Sequence, residues 1–380
     1  MAAARAAPLR PGLPGEIFIW EILLRLPLKA LLRCRAVCRD WRRATSTRDF
    51  LLAHHERQPS LPLLYERSST DGGGVYLDIK PLGHRAGVAA ADQLHSVARV
   101  ASLDIFMYLS VCNPATRQYA PLPLLRGFSL AGMYPHTPTG EYRLLLYPDD
   151  VYEPPPGAGY DCYIYALGSH ELPRHIGWPE AEEAIHALQP VLFRGSLHWF
   201  IAKNESQSCN IMVFDTTAEL FRQMRAPAFP GVAELFEMDA MLGLACFSVA
   251  VGTIDIWMTQ DYDSEVWAFK YRVELPAADL TERFGFDKYS HRVVSSWDDH
   301  GALILVQTGE WLIQIDMGGN VVASFHTELL ITTQLRLKQS LVPHTFFPTI
   351  EGYVVNTWPF ISPDDCVVNN QSSIDYVVNN

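Results

Sequence analysis

The sequence predicts an α+β chain of two unequal parts, a small module of three short helices followed by a large all-β domain. Apolar residues recur at helical spacing chiefly between residues 13 and 57. From about residue 61 the texture changes to short runs of β-branched and aromatic residues separated by turn formers. Charge divides at the same boundary: residues 1–57 carry 11 Lys/Arg and 5 Asp/Glu, a net of +6, in a chain whose formal net charge is −12. With 380 residues, 48% hydrophobic and 11% aromatic, the composition is that of a folded chain rather than a disordered one.

Residues 1–12 are Ala/Pro-rich and read as a loose tail; they lack the apolar core of a secretory signal. Leu13-Pro14 opens the first helix, because proline at the first turn removes an N–H that would have no partner. Glu16 follows where the helix dipole favours an acid. Ile17, Trp20 and Leu24, with Leu23 beside them, form an apolar stripe that should end at Pro27. Cys34, Val37, Cys38 and Trp41 are spaced i, i+3, i+4, i+7, so a second amphipathic helix is expected through them, with Arg33, Arg35, Arg39, Arg42 and Arg43 on its other faces. About 45 residues of helix bury too little surface to be comfortably stable alone. Apolar residues left exposed here therefore point to an interface.

Strand-like runs follow at Gly74–Ile79, Tyr142–Tyr147, Cys162–Leu167, Val191–Ile201, Asn210–Asp215, Leu242–Ala250, Ile254–Thr259, Ser264–Tyr271, Ala302–Thr308, Trp311–Asp316 and Val321–His326. Short links such as Gly309-Glu310 and Met317–Asn320 make antiparallel hairpins of their neighbours. Helical patterns at 179–188 and 276–284 read as insertions between strands. A unit running from Gly195-Ser196-Leu197-His198-Trp199 through Val213-Phe214-Asp215 to Phe221-Arg222 is echoed from Gly301 to Val321, which suggests blades. At roughly 40–50 residues per four-stranded blade, the body holds about six or seven, with a pair of β-sandwiches as the alternative. Residues 366–380, with Val-Val-Asn-Asn twice, read as a polar tail that leaves a β domain over 58–365.

Several function classes are disfavoured. The seven cysteines are scattered, without a CxxC, which argues against a disulfide scaffold or a zinc site and fits a reducing compartment. No HExxH, GxSxG or phosphate-binding loop is present, so neither catalytic residues nor cofactors are expected. The longest uncharged stretch, between Asp239 and Asp255, has 15 residues, short of the ~20 needed to span a bilayer, so no membrane partner is expected. An acidic body also argues against nucleic acid.

Residues 13–46 resemble an F-box. The resemblance is carried by Leu13-Pro14, Ile22-Leu23, Leu26-Pro27 and the run Arg35, Val37, Cys38, Arg39 and Trp41. One departure is visible: the segment from Leu13 to Leu23 is a residue longer than in many F-boxes, so a bulge or shifted helix start is expected near Phe18–Trp20. The resemblance implies docking over residues 13–57 to a Skp-type adaptor and, through it, a cullin scaffold. By carry-over, Leu13, Pro14, Ile17, Leu26, Pro27, Leu28 and Leu31 are candidates for adaptor contact. Val37, Cys38 and Trp41 are divided between module core and interface.

Much of residues 100–330 is similar to the plant F-box-associated domain. The markers are Asn113-Pro114-Ala115-Thr116-Arg117 with Leu122-Pro123, the Gly195–Trp199 strand, Val213–Asp215 with Phe221-Arg222, Ile254–Trp257 and Trp267–Tyr271. Trp257, Trp267, Phe269 and Tyr271 are expected to pack between blades. The two resemblances imply a non-enzymatic substrate-recognition subunit of an SCF-type ubiquitin ligase, cytoplasmic or nuclear, whose β domain captures an unidentified target protein. A non-degradative interaction scaffold and a propeller hydrolase are the alternatives.

Overall fold

The computed structural model describes residues 15–69, 75–83, 96–101, 109–148, 161–177, 189–201, 210–229, 232–248, 252–285, 291–298, 301–326, 330–357 and 359–361. The expected tails, the helical pattern at 179–188 and the Leu13-Pro14 pair lie outside these residues. The chain divides into two compact units, Met1–Ser60 with Lys338–His344, and Leu61–Leu337 with Thr345–Asn380. The first unit is thus discontinuous, adding a seven-residue segment to a module that the sequence pattern ends at residue 57.

The first unit is helical: α1 (Gly15–Ile17), a π turn (Phe18–Ile22), a 3₁₀ turn (Leu23–Arg25), α2 (Leu28–Val37), α3 (Arg39–Ala44) and α4 (Arg48–Arg57). The π turn sits where the extra residue was expected to bulge, since an i→i+5 turn absorbs one residue without ending the helix. It also changes the phase of the apolar stripe. Leu23 and Leu24 are buried and Phe18 and Ile19 pack against them, while Ile17 and Trp20 are turned outward. The single helix expected through Cys34–Trp41 is instead broken: Cys38 is extended (φ −130°, ψ 124°) and ends α2 while starting α3. Its heptad-like spacing therefore does not form one face, and Val37 is 82% exposed.

The second unit is a ring of six antiparallel sheets, a six-bladed β-propeller. Blade 1 holds β1 (Leu61–Ser69), β2 (Val75–Pro81) and β3 (Ala98–Ala101); blade 2 holds β4 (Ser110–Asn113) and β5 (Gln118–Pro121). Blade 3 runs from β6 (Phe128–His136) through β7 (Glu141–Pro148) and β8 (Cys162–Ala166) to β9 (Arg174–Gly177). Blade 4 runs β10 (Val191–Phe193), β11 (Ser196–Ile201), β12 (Asn210–Asp215), β13 (Leu220–Arg225). Blade 5 runs β14 (Val232–Met238), β15 (Met241–Ser248), β16 (Thr253–Asp261), β17 (Val266–Glu274). Blade 6 follows α5 (Ala277–Phe284) and comprises β18 (His291–Asp298), β19 (Gly301–Thr308), β20 (Trp311–Asp316) and β21 (Val321–His326). The ring is closed by late strands: β22 (Leu330–Leu337) pairs with β1, β23 (Val354–Val355) with β5, and β24 (Phe360–Ile361) with β3. Closure of this kind ties the end of the chain to its beginning, and radial repetition leaves only short edges.

The core lies between blades. In β12, Met212 and Phe214 pack towards blade 3 while Ile211 and Val213 pack towards blade 5. In β19, Ile304 and Val306 join blade 5, and Leu305 joins blade 1. A strand covered on both faces reads as a continuous apolar run, which is why these segments do not alternate cleanly. The expected Val191–Ile201 strand is a hairpin whose two turn residues, Arg194 (φ 46°) and Gly195 (φ 70°), both lie in the left-handed region that fits a tight hairpin.

Candidate functional site

In the helical unit, the core is made by Leu23, Leu24, Leu31 and Phe50, with Leu26, Trp41 and Leu341 against it. The Leu26-Pro27 corner is fixed from α4. His54, 1% exposed, donates Nε2–H to the Leu26 carbonyl at 2.9 Å, and the Gln58 amide donates to the same oxygen at 3.4 Å. Burial holds the His54 imidazole below its usual pKa, so it stays neutral at the corner. The Phe18 and Trp41 rings stack at 4.7 Å. From the returning segment, Lys338 donates to the Glu56 carbonyl at 3.1 Å, near the C-terminus of α4, where a cation suits the helix dipole.

The candidate contact residues divide. Leu28 and Leu31 are 5% and 0% exposed and hold the unit together; Leu26, Cys38 and Trp41 are half-buried. Ile17 (44%), Pro27 and Val37 face solvent. Trp20, Ile22, Leu32 and Leu52, none of them among the candidate contacts, are also apolar and exposed. Exposed Arg33, Arg39, Arg42 and Arg43 add positive charge to the same unit. An apolar surface left over from a completed core, with arginines on the same module, is suited to a groove with an acidic rim.

In the β unit, four blades use one turn. Asn113 Oδ1 accepts from the Ala115 and Thr116 amides, Asp215 Oδ1 from Thr217 and Ala218, Asp261 Oδ1 from Asp263 and Ser264, and Asp316 Oδ1 from Gly318 and Asn320. This side-chain capping is the property that makes Asx residues turn formers. In three of the turns the fifth residue has positive φ: Arg117 at 52°, Glu219 and Glu265 at 56°.

The two glutamates reach back to the preceding blade. Glu219 accepts from Arg143 at 2.6 Å and from the Tyr134 hydroxyl at 2.9 Å, and pairs with Arg174. Burial raises its carboxyl pKa, but the bonds and charges of Arg143 and Tyr134 outweigh that and hold it below the usual range. Glu265 accepts a hydrogen bond from the Arg225 backbone N–H at 3.1 Å, but its ion pairs are longer, 3.6 Å to Arg222 and 3.8 Å to the Arg225 side chain. Beside it the Tyr262 hydroxyl joins Arg222 at 3.0 Å and His198 Nε2 at 2.8 Å. His198 is fully buried, and burial lowers its pKa to about 4.

Blade 5 departs from expectation at its outer strand. Trp257 and Trp267 are half-buried against blade 4, but Phe269 and Tyr271, on β17 at the outer edge of the sheet, are 48% and 41% exposed. Among the described residues there is no group of three His, Cys, Asp or Glu that could hold a metal, and no helix long and apolar enough to cross a membrane.

Comparison with known proteins agrees with both units. Residues 11–55 match the F-box-like family, and residues 104–329 match the F-box associated beta propeller domain. An F-box protein of Arabidopsis thaliana is 24% identical over 288 residues, 67% of this chain and 77% of the relative. Another from the same plant is 21% identical over 285 residues, 67% of this chain and 82% of its own. Among solved structures, a periplasmic gluconolactonase of Pseudomonas aeruginosa covers 72% of this chain and 86% of its own at 14% identity, but its TM-score of 0.34 supports no conclusion. With helices matching the F-box in front and the matched propeller behind, the chain belongs to the F-box proteins that carry an F-box associated beta propeller domain.

Proposed function

We propose that the chain is the substrate-recognition subunit of an SCF-type ubiquitin ligase, working in the cytoplasm or nucleus. Its helical unit docks a Skp-type adaptor and, through it, a cullin scaffold; its propeller holds the target protein. The observation that carries this reading is the exposed apolar side chains, Ile17 and Val37 foremost, on a helical unit whose own core is already filled. Proximity suffices for the chemistry, since holding a target lysine near a ubiquitin-charged enzyme raises its effective concentration without a catalytic group from this chain.

The test is binding of the full chain to purified Skp-type adaptor by calorimetry. Ile17→Asp and Val37→Asp place a charge on exposed positions, so the fold should survive while adaptor affinity falls by about 2 kcal/mol or more at whichever position lies within the buried centre of the interface. Unchanged affinity in both variants, with circular dichroism intact, contradicts the assigned face.

A further inference from the structure

An open depression of about 320 Å³ lies between the outer parts of blades 4 and 5. One wall is the chain leaving β13, Ala226-Pro227-Ala228; the other is aromatic, with Trp257 and Trp267, while Arg225 and Glu265 also line it. Strand register extends the aromatic wall. Thr259 pairs with Trp267, Trp257 with Phe269 and Asp255 with Arg272, so Trp267, Trp257, Phe269 and Arg272 share one face of the sheet. The Trp257 and Phe269 rings meet edge-on at 5.6 Å, and the Arg272 guanidinium sits 5.8 Å from the Phe269 centroid. Trp267 is locked by its indole N–H, which donates to the Arg225 carbonyl at 3.0 Å.

The charges here are layered. Arg225 and Arg272 have side chains 93% and 57% exposed, whereas the acids they pair with, Glu265 and Asp255, are 23% and 16% exposed. An approaching group meets guanidinium first. Because residues 58–380 carry 19 Lys/Arg against 37 Asp/Glu, such a lip is a local exception on an acidic body, a place where a carboxylate is attracted rather than repelled.

We propose that this groove is where the propeller holds its target, and that it takes an extended peptide in which a proline or aromatic residue is flanked by carboxylates. The proposal rests on the target-recognition reading above. Rigid aromatic walls suit an extended proline-bearing chain, which loses little conformational entropy on docking and stacks its ring on indole and phenyl faces. Arg225 and Arg272, at the mouth and the far end of the wall, then receive the flanking acids. The exposed Phe269 prolongs the contact along β17 beyond the depression, whereas Tyr271, paired with Ile256, lies on the other face.

The experiment is selection of phage-displayed random dodecapeptides on the full chain at physiological salt, followed by fluorescence anisotropy of the winners made as labelled synthetic peptides. Expected are sequences pairing proline or aromatic residues with Asp/Glu, losing at least tenfold in affinity to Arg225→Glu and to Phe269→Ala. Both positions are exposed, and circular dichroism checks the fold. An empty selection, winners without that signature, or winners indifferent to both substitutions would overturn the proposal. Adaptor binding measured on the same proteins separates the two readings. Peptides that map to the groove on a chain unable to bind adaptor sink the ligase assignment alone, and adaptor binding with peptides that ignore the groove sinks the groove alone.

Discussion

Single residues carry sharply different loads in this chain, and two of them give direct tests. Asp239 and Ala240 form the two-residue link between β14 and β15 with φ of 52° and 56°, although neither is glycine. A Cβ in the left-handed region costs about 1 kcal/mol, so Ala240→Gly should stabilise the β unit by roughly 0.5–1 kcal/mol in denaturant melts. No change, or a loss, would mean the turn is not strained. His198 tests acid sensitivity. Its imidazole titrates near 4 in the folded state and at about 6.5 in the unfolded chain. Between those values the unfolded chain binds a proton that the folded chain refuses. Its contribution is therefore whole above about pH 6.5 and declines as pH falls towards 4. From pH 7.5 to pH 5 the loss is roughly 2 kcal/mol. His198→Phe should lower stability at neutral pH by removing the bonds to Tyr262 and Val191, yet flatten this acid slope. An unchanged slope would assign the sensitivity elsewhere.

At the level of elements, the hairpin turns act as staples between blades, and their strength follows burial. Glu219 has a side chain only 10% exposed and serves Arg143 and the fully buried Tyr134; Glu265 reaches arginines that are 44% and 93% exposed. Glu219→Gln should cost about 2 kcal/mol, because it leaves a mostly buried guanidinium with only the half-exposed Glu141, at 3.0 Å, as countercharge. Glu265→Gln should cost about 1 kcal/mol or less. Equal costs in urea titrations would refute the burial argument. The turn itself was partly legible in the sequence. Asn113–Arg117 stands out as a capped turn, but its kinship with the segments from Asp215, Asp261 and Asp316 is hidden, since only the first residue is alike and the capping is done by one side-chain oxygen. The two helical irregularities, the expected one near Phe18–Trp20 and the unexpected break at Cys38, have similar causes. A π turn and an extended Cys38 shift the phase of apolar spacing, which periodicity assumes to be constant. Trp20 consequently lies outside, whereas Leu28 and Leu31, candidates carried over from the family resemblance, lie on the inward face of α2, with Leu32 outward.

For the whole molecule, the division into a basic helical module and a larger acidic β body was readable from charge and texture. The number of blades was readable only to within one, because β22, β23 and β24 return to earlier sheets and two-residue strands leave no pattern. The segment Lys338–His344, which the helical unit includes, was not legible either, since nothing local in it signals a partner some 280 residues away. It also makes removal of residues 1–57 a poor probe, because that deletion strands Leu341 without the helices it packs on. Point substitutions in the full chain avoid this. The central claim, that the propeller holds a target which the helical unit delivers to a ligase, is tested most directly by comparing cells that express the full chain or its Ile17→Asp/Val37→Asp variant. The measurement is the ubiquitination and half-life of the proteins each captures. The account predicts the same captured proteins in both, with adaptor missing from the variant and those proteins longer-lived and less ubiquitinated. Loss of adaptor with ubiquitination continuing at the full-length rate would contradict it.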